Sequence, residues 1–321
     1  MKKKTDHKGG DSVKRILSVE NINEAIARDP RGFVLECEER YHRELTLMAT
    51  DILRSCHEKP FILISGPSGS GKTTTARRLE RYLTNYSVKV YTIGLDDYFL
   101  PITQRPEFVE DFESPYCVDL ELLRQDLGKL RRGESVTLPR FHFAEQTRSW
   151  GETIRLEEKA VVIMEGIHAL NPLLTEDILP ASHGIYVAPG ACLECEGHLL
   201  QPKQLRLARR LLRDHYFRGR SFEQIVRQAR EVDAGEDRYI RPFKKNASMF
   251  VDTYMDYELP VFVSLMCADG SFSKKFDPAF VEENKLQALL LAVESFAPLG
   301  VDYVPRNSLV REFIGDSSVL T

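Results

Sequence analysis

The stretch Phe61-Ile-Leu-Ile-Ser-Gly66-Pro-Ser-Gly-Ser-Gly71-Lys72-Thr73 decides the fold class of this 321-residue sequence. It begins with an apolar run typical of a buried strand and continues with the pattern G-x-x-x-x-G-K-[ST]. A helical pattern follows at once and carries Ala76, Leu79 and Leu83 on one face. Strand, glycine-rich loop and helix in this order are the context of a phosphate-binding loop, or P-loop. The stretch therefore predicts a nucleotide-binding α/β domain.

The chemistry of the loop predicts how it binds ATP. Glycines let the backbone curl until its N–H groups face the phosphates, and the N-terminus of the following helix adds a favourable dipole. Lys72 is expected to reach the β- and γ-phosphates, and the Thr73 hydroxyl is expected to bind Mg²⁺. The residues expected to contact ATP are Gly66, Ser68, Gly69, Ser70, Gly71, Lys72, Thr73 and Thr74.

On either side of the loop, apolar runs alternate with amphipathic helical patterns. Strands are predicted at 88–93, 160–164, 184–188 and 259–265, and helices at 120–132 and 203–214. Buried strands separated by helices indicate a doubly wound, mostly parallel sheet covered on both faces. We expect a flexible tail (1–12), an N-terminal helical extension (13–58) with a helix at 38–55, and a P-loop domain (59–270). The remaining residues, 271–321, are expected to form a helix at 282–296 and a tail that pack on this domain.

Composition and charge limit the partners of the chain. The sequence is 42% hydrophobic and 29% charged, as in ordinary globular proteins, and its net charge of −4 would not attract nucleic acid or anionic lipid. The lysines of residues 1–4 are not followed by the apolar segment of a signal peptide, and no apolar run approaches the roughly 18 residues of a membrane span. We expect a cytoplasmic protein that binds neither nucleic acid nor membrane, and we leave homo-oligomerisation open.

The cysteines give little support to a metal or redox site. The six cysteines are mostly scattered singly, which is typical of reduced intracellular proteins. Cys192 and Cys195, with His198 nearby, have the one spacing that suits a metal or a disulfide, but a second pair of ligands is missing. A zinc or redox role is therefore disfavoured.

Acidic residues follow two of the predicted strands, where ligands of open α/β sheets bind. Asp96 and Asp97 stand at the end of the strand at 88–93, and a carboxylate there can accept the proton of an attacking hydroxyl. For Asp97 a turn or helix cap is the alternative. Glu165 ends the strand at 160–164 and is expected to hold Mg²⁺, with a purely structural strand exit as its alternative.

Six arginines between positions 206 and 220 form a local basic cluster in an acidic chain. Four of them share one face of a helix by their spacing of three and four. Such a face is usually only solvated, but beside a P-loop these side chains are suited to close over a transferring phosphoryl group. The six are Arg206, Arg209, Arg210, Arg213, Arg218 and Arg220.

These motifs together resemble the uridine kinase and phosphoribulokinase family of P-loop kinases, over residues 60–256. The tail at 304–315 and the segment 165–171 further resemble a longer bacterial nucleoside-kinase branch, whose N-terminal synthetase-like region this sequence lacks. In chain order the matching pieces are the P-loop, Leu95-Asp-Asp-Tyr-Phe99, Phe112-Glu-Ser-Pro-Tyr-Cys-Val-Asp119, Leu138-Pro-Arg-Phe-His-Phe143 with Thr147-Arg148, Glu165-Gly-Ile167, and Arg206-Leu-Ala-Arg-Arg-Leu-Leu-Arg-Asp214 with Arg218-Gly-Arg220.

The resemblance implies ATP-dependent phosphorylation of the 5′-hydroxyl of a nucleoside. It implies a nucleoside kinase-like fold with an inserted acceptor-binding segment (100–156) and an arginine lid (206–245). Asp96 would be the base, with Lys72 and the lid residues Arg213, Arg218 and Arg220 also catalytic.

The resemblance also implies which residues bind the acceptor. Asp119, which could also cap the helix at 120–132, would hold the ribose hydroxyls with Arg210. Phe141 would lie against the base, and Gln146 stands where relatives have a histidine, so base preference stays open. Gln228 would lie beside the substrate.

Two other functions remain as alternatives. The first is a kinase on the same scaffold for another small acceptor, such as pantothenate or a sugar phosphate. A phosphate-bearing acceptor would need further cations near Asp119, where the sequence has few. The second is a catalytically silent nucleotide-binding regulatory protein, against which the joint presence of Lys72, Thr73, Asp96 and Glu165 argues.

Overall fold

A five-stranded parallel sheet forms the centre of the computed structural model. The structure describes residues 15–109, 111, 113–268 and 270–320, so the predicted tail at 1–12 and Phe112 lie outside the described residues. The strands are β1 (Arg15–Ser18), β2 (Phe61–Ser65), β3 (Lys89–Gly94), β4 (Ser135–His142), β5 (Thr147–Arg155), β6 (Ala160–Glu165), β7 (Ser182–Ala188), β8 (Ala191–Cys195), β9 (His198–Leu200) and β10 (Met249–Asp252). The α-helices are α1 (Val19–Arg28), α2 (Pro30–Leu53), α3 (Lys72–Asn85), α4 (Leu120–Arg131), α5 (Pro172–Thr175), α6 (Pro202–Arg218), α7 (Phe222–Tyr239), α8 (Glu258–Met266), α9 (Pro278–Glu283), α10 (Gln287–Ser295) and α11 (Arg311–Ile314).

The order of the central strands is β10-β7-β2-β6-β3, and every neighbouring pair is parallel. All five residues of β2 are buried, and its four apolar residues alternate between two hydrophobic cores. Ile62 and Ile64 pack in the core that contains α2, α3 and α6, whereas Phe61 and Leu63 pack in the core that contains α4 and β4. Helices therefore cover both faces of the sheet, which confirms the predicted doubly wound α/β fold.

One predicted strand is wrong. The apolar run at 259–265 is part of helix α8, and the edge strand is β10 instead. A short apolar run does not by itself distinguish a buried strand from a buried helix. Here Glu258, in the first turn of α8, forms a fully buried ion pair with Arg209 of α6, and this contact joins the helix to the core.

The predicted C-terminal helix at 282–296 is two helices, α9 and α10. The chain turns at Lys285, whose φ of 54° lies in the left-handed region and ends the first helix. The residues predicted to form its packing face are nevertheless all buried, namely Leu286, Leu289, Leu290, Val293 and Phe296.

The N-terminal extension contains a strand as well as the predicted helices. Strand β1 pairs in parallel with β8, and α2 starts at Pro30, earlier than predicted, with Asp29 as its N-cap. α2 and the C-terminal helices belong to the same core as one face of the sheet, and the division of the chain at residues 58 and 270 stays a prediction.

Two further expectations bear on the described residues. Cys192 and Cys195 lie three positions apart on β8, so their side chains point to opposite faces of the strand. Both are buried, and neither forms a disulfide. Within the described ranges, no group of three or more His, Cys, Asp or Glu side chains is arranged to hold a metal. None of the helices in that part of the chain combines the length and the apolar character needed to cross a bilayer.

Candidate active site

The P-loop joins β2 to α3 at the carboxyl edge of the sheet. Gly69 and Gly71 have φ values of 74° and 88°, which side chains rarely adopt, so the glycines of the motif are required by the backbone. Gly66 has no room for a side chain either, because a Cβ there would stand 2.0 Å from the Val187 carbonyl oxygen. The Lys72 ammonium donates to the Pro67 carbonyl at 3.1 Å and thus spans the loop.

Side chains from outside the loop hold three consecutive P-loop carbonyls. Arg206 donates to the carbonyl of Ser68 at 3.1 Å, Arg209 to that of Gly69 at 3.1 Å, and the Thr253 hydroxyl to that of Ser70 at 2.7 Å. Because a carbonyl and the neighbouring amide of a peptide point in opposite directions, holding the carbonyls orients the amides of the loop. We call these three contacts the carbonyl clamp.

The clamp gives two of the six clustered arginines a structural position. Arg206 and Arg209 are 4% and 0% exposed, and each is also ion-paired, Arg206 with Glu236 and Arg209 with Glu258. They are neither on a solvated face nor free to move over a phosphate. Arg206 and Arg209 are therefore held in place beside the P-loop, and any movable part of the lid predicted at 206–245 begins after them.

Thr73 and Glu165 meet at the predicted metal position. The Thr73 hydroxyl donates to Glu165 Oε1 at 3.1 Å, although 92 residues separate them in the chain. A hydroxyl and a carboxylate are hard oxygen ligands of the kind that Mg²⁺ takes alongside phosphate oxygens and water. This pair fits the metal that the sequence predicts.

Lys72 is the cation shared by three carboxyl groups from different elements. Asp96 lies in the one-turn 3₁₀ helix that follows β3, Glu165 ends β6, and Glu113 lies in the segment before α4. Desolvation by the surrounding protein raises the pKa of Asp96 and of Glu165, and the charge of Lys72 opposes the rise in both. Desolvation also raises the pKa of Glu113 to about 7, against the opposing charge of Lys72.

Asp97 has a structural contact instead of a place beside Lys72. Its carboxylate accepts a hydrogen bond from the Phe141 amide at 3.2 Å and so joins the turn after β3 to β4. This contact favours the structural alternative for Asp97. Asp96 is crowded by the surrounding protein but is still accessible to solvent at the sheet edge, so it is the acid left available.

Asp119, predicted to hold ribose hydroxyls, already has partners for both oxygens. Oδ1 accepts from the Leu122 amide at 3.0 Å as the N-cap of α4, and Oδ2 accepts from Arg148 at 2.8 Å. Arg148 also donates to the Phe99 carbonyl at 3.0 Å. Asp119 therefore holds the acceptor segment together.

Glu113 is a candidate site residue that the sequence patterns did not single out. Its Oε2 is buried without a hydrogen-bond partner among the described residues, and it interacts with Lys72, Arg210 and Asp96. Glu113 lies inside the motif quoted above, two positions after Asp111. Segment 112–119 contains both acids, and the family resemblance assigns the binding of the sugar hydroxyls to Asp119, the acid that also matches a helix cap.

The four remaining predicted arginines and Gln228 lie around α6 and α7. Arg210 is 6% exposed, and its Nε has no hydrogen-bond partner among the described residues. Arg213 and Arg218 both pair with Asp214, at 2.8 and 3.3 Å, and Arg220 donates to Gln228 at 2.5 Å. Burial works to raise the pKa of Asp214, but these arginines outweigh it and the net pKa is lowered.

Phe141 and Gln146 occupy the β4–β5 hairpin. The Phe141 ring is buried and packs against Phe99 and Phe143 with centroid distances of 6.0 and 4.9 Å, and Phe143 is the exposed member of this cluster. Gln146 donates to the Phe143 carbonyl at 2.8 Å and accepts from Arg105 at 3.4 Å. Both side chains are thus engaged within the hairpin.

Comparisons with known proteins match most of the chain to one family. Residues 61–259 match the model of the phosphoribulokinase/uridine kinase family. A uridine kinase from Staphylococcus haemolyticus is 34% identical over 193 residues, which cover 59% of this chain and 84% of that protein. A uridine kinase from Macrococcus caseolyticus is 33% identical over 193 residues, which cover 59% of this chain and 85% of that protein. A solved structure from Silicibacter sp. TM1040, a candidate fructose transport system kinase, superposes with a TM-score of 0.50 at 21% identity, covering 64% of this chain and 98% of that one, and supports the fold alone.

Proposed function

The chain belongs to the phosphoribulokinase/uridine kinase family of P-loop kinases, and from this premise we propose that it transfers the γ-phosphoryl group of ATP to the 5′-hydroxyl of a nucleoside. The observation that carries the proposal is the contact of Thr73 with Glu165 beside the P-loop lysine, whose charge acts on Asp96, Glu113 and Glu165. The three carboxyl groups match three roles: one beside the metal position, one for the attacking hydroxyl and one for the sugar.

The donor half of the site binds phosphate through the backbone. The carbonyl clamp orients the P-loop amides toward the phosphates of ATP, and Lys72 adds a positive charge. Thr73 and Glu165 would hold Mg²⁺, which when bound neutralises charge on the phosphate oxygens.

The acceptor half activates a hydroxyl. We assign Asp96 as the base that takes the proton of the 5′-hydroxyl while its oxygen forms the new bond to the γ-phosphorus and the bond to the β-phosphate oxygen breaks. ADP is the leaving group, and the proton ends on Asp96. Such transfers depend mainly on positioning and charge neutralisation, so the placement of Asp96 opposite Lys72 is its main contribution.

For the sugar hydroxyls we assign Glu113, with Arg210 beside it, in place of Asp119. A buried carboxylate oxygen without a partner is costly, and a hydroxyl donor from the substrate would satisfy it. The raised pKa of Glu113, about 7, means that this acceptor is only partly ionised at neutral pH before substrate binds.

The lid arginines would stabilise the transferring group. Arg213 and Arg218 are paired with Asp214 here, and their guanidinium groups lie at the end of α6, whose first turns hold the P-loop. Rotation of these long side chains toward the γ-phosphate would place positive charge where negative charge develops. Gln228, which holds Arg220, and the ring cluster of Phe141 would border the acceptor.

A panel of acceptors with ATP tests this function. Release of ADP is measured with ribonucleosides, 2′-deoxynucleosides, pantothenate and sugar phosphates, and Lys72→Ala serves as the inactive control. We expect turnover with ribonucleosides that is lost in the Lys72→Ala variant. Turnover with only pantothenate or a sugar phosphate would show that this compound, and not a nucleoside, is the acceptor. No turnover with any compound would favour the regulatory alternative.

A further inference from the structure

The C-terminal segment 304–315 lies along the helix that carries the P-loop lysine. A Cβ placed on Gly71 would stand 2.8 Å from Leu309 Cδ1, so the segment touches the last glycine of the loop. The carbonyl of Asn307 accepts a hydrogen bond from Arg78, one turn and a half along α3 from Lys72. The inner side chains of segment 304–315 are as deeply buried as those of the central sheet. They are Ser308, Leu309, Val310 and Phe313, each 0% exposed.

One polar contact reaches the first turn of α3. Thr74 is 0% exposed, and its hydroxyl donates to Glu312 Oε2 at 2.5 Å. Thr74 directly follows Lys72 and Thr73, the residues predicted to bind phosphate and metal. No side chain caps this helix, because its N-cap is Gly71. A carboxylate beside the first turn is favourably placed in the field of the helix dipole.

A second contact reaches the carbonyl clamp. The Phe313 ring lies 4.8 Å from the guanidinium carbon of Arg209, which holds the Gly69 carbonyl on its other side. The C-terminal segment thus contacts the last glycine of the P-loop, the helix that follows it and one arginine of the carbonyl clamp.

We propose that segment 304–315 is a positioning element of the donor-nucleotide site and that Glu312 is its positioning residue, acting through the Thr74 hydroxyl on the turn that carries Lys72 and Thr73. This inference rests on the proposed function only in taking an adenine nucleotide as the donor. Small misplacements of groups that bind a phosphate cost much affinity, and contacts behind them hold them in place.

The test measures ADP binding by titration calorimetry without any acceptor. Glu312→Ala removes the hydrogen-bond acceptor, and Glu312→Gln keeps a carbonyl oxygen at the same reach. We expect ADP binding about tenfold weaker in Glu312→Ala, the scale of one lost hydrogen bond to a charged group, and a smaller loss in Glu312→Gln, which keeps an acceptor but not the charge. KM for ATP should rise with the Kd, whereas kcat at saturating ATP and KM for the acceptor should not change.

Two further variants keep the test decisive. Glu312→Asp shortens the side chain by one methylene and should weaken ADP binding even if Glu312→Ala does not fold. Asp302→Asn, at an exposed acid of the preceding turn, should bind ADP like wild type. Wild-type ADP affinity in Glu312→Ala or Glu312→Asp, a lower unfolding temperature with an unchanged Kd, or a Glu312→Gln variant as weak as Glu312→Ala would overturn the proposal. Because no acceptor is present, a failure to phosphorylate nucleosides leaves this result unaffected.

Discussion

At the residue scale, Asp96 and Asp97 are adjacent in sequence but have different surroundings. Asp96 is under the influence of the Lys72 charge, and Asp97 accepts a hydrogen bond from the backbone of β4. Asp96→Asn should keep ATP binding and lower kcat by roughly 10²-fold or more, the usual effect of losing a positioned base. Asp97→Asn, the matched control, should cost much less. Steady-state kinetics of the two variants checks this, and a reversed order would mean that Asp97 is the base.

Glu113 and Asp119 differ in the same way. Because a site built to bind a hydroxyl disfavours an analogue without it, ribonucleosides should exceed 2′-deoxynucleosides by at least about tenfold in kcat/KM. Glu113→Ala should erase this preference, whereas Asp119→Asn, which retains a helix cap, should keep it. Since the pKa of Glu113 is about 7, KM for ribonucleosides should fall as pH rises from 6 to 8 in the wild-type enzyme and in Asp119→Asn, but not in Glu113→Ala. A preference that depends on Asp119 instead would restore the role that the family resemblance implied for Asp119.

At the element scale, α6 and α8 are joined by the buried pair of Arg209 and Glu258. Arg209→Met leaves the Glu258 carboxylate buried without its cation, which should lower the free energy of unfolding by about 3–5 kcal/mol. Adding Glu258→Gln removes the unpaired charge and should recover part of the loss. Urea denaturation of the single and double variants measures both, and equal stability of the two would show that the charge does not matter.

Helix α2 meets β10 through a carboxyl group that titrates near neutrality. Burial, then the nearby Asp252, raises the pKa of Glu44 to about 7, whereas an unfolded glutamate titrates near 4.3. The folded state therefore binds the extra proton between these values, and the contribution of Glu44 to stability is lost as pH rises toward 7.

Glu44→Gln should consequently stabilise the protein at pH 8, by at most about 4 kcal/mol, and change little at pH 4. Thermal unfolding at both pH values checks this. A gain that is equal at the two pH values would show that packing, and not titration, is responsible.

At the scale of the whole molecule, the sequence predicted what short-range patterns encode. The P-loop, its two flanks and the strand ending in Glu165 follow from local spacing, and the structure has them at the predicted positions. The wrong strand at 259–265 and the missed strand β1 depend on pairing with distant residues, namely Arg209 and β8. Likewise, only the folded chain shows that Arg206 and Arg209 hold the P-loop and that Asp119 is bound by Arg148.

The central claim is transfer of the γ-phosphoryl group to the 5′-hydroxyl of a nucleoside. The most direct measurement incubates the protein with ATP radiolabelled in its γ-phosphate and either uridine or 5′-deoxyuridine, and separates the products. The account predicts label in uridine 5′-monophosphate, none in any product of 5′-deoxyuridine, and none from the Lys72→Ala variant. Label found only in inorganic phosphate, or equal labelling of the 5′-deoxy compound, would contradict it.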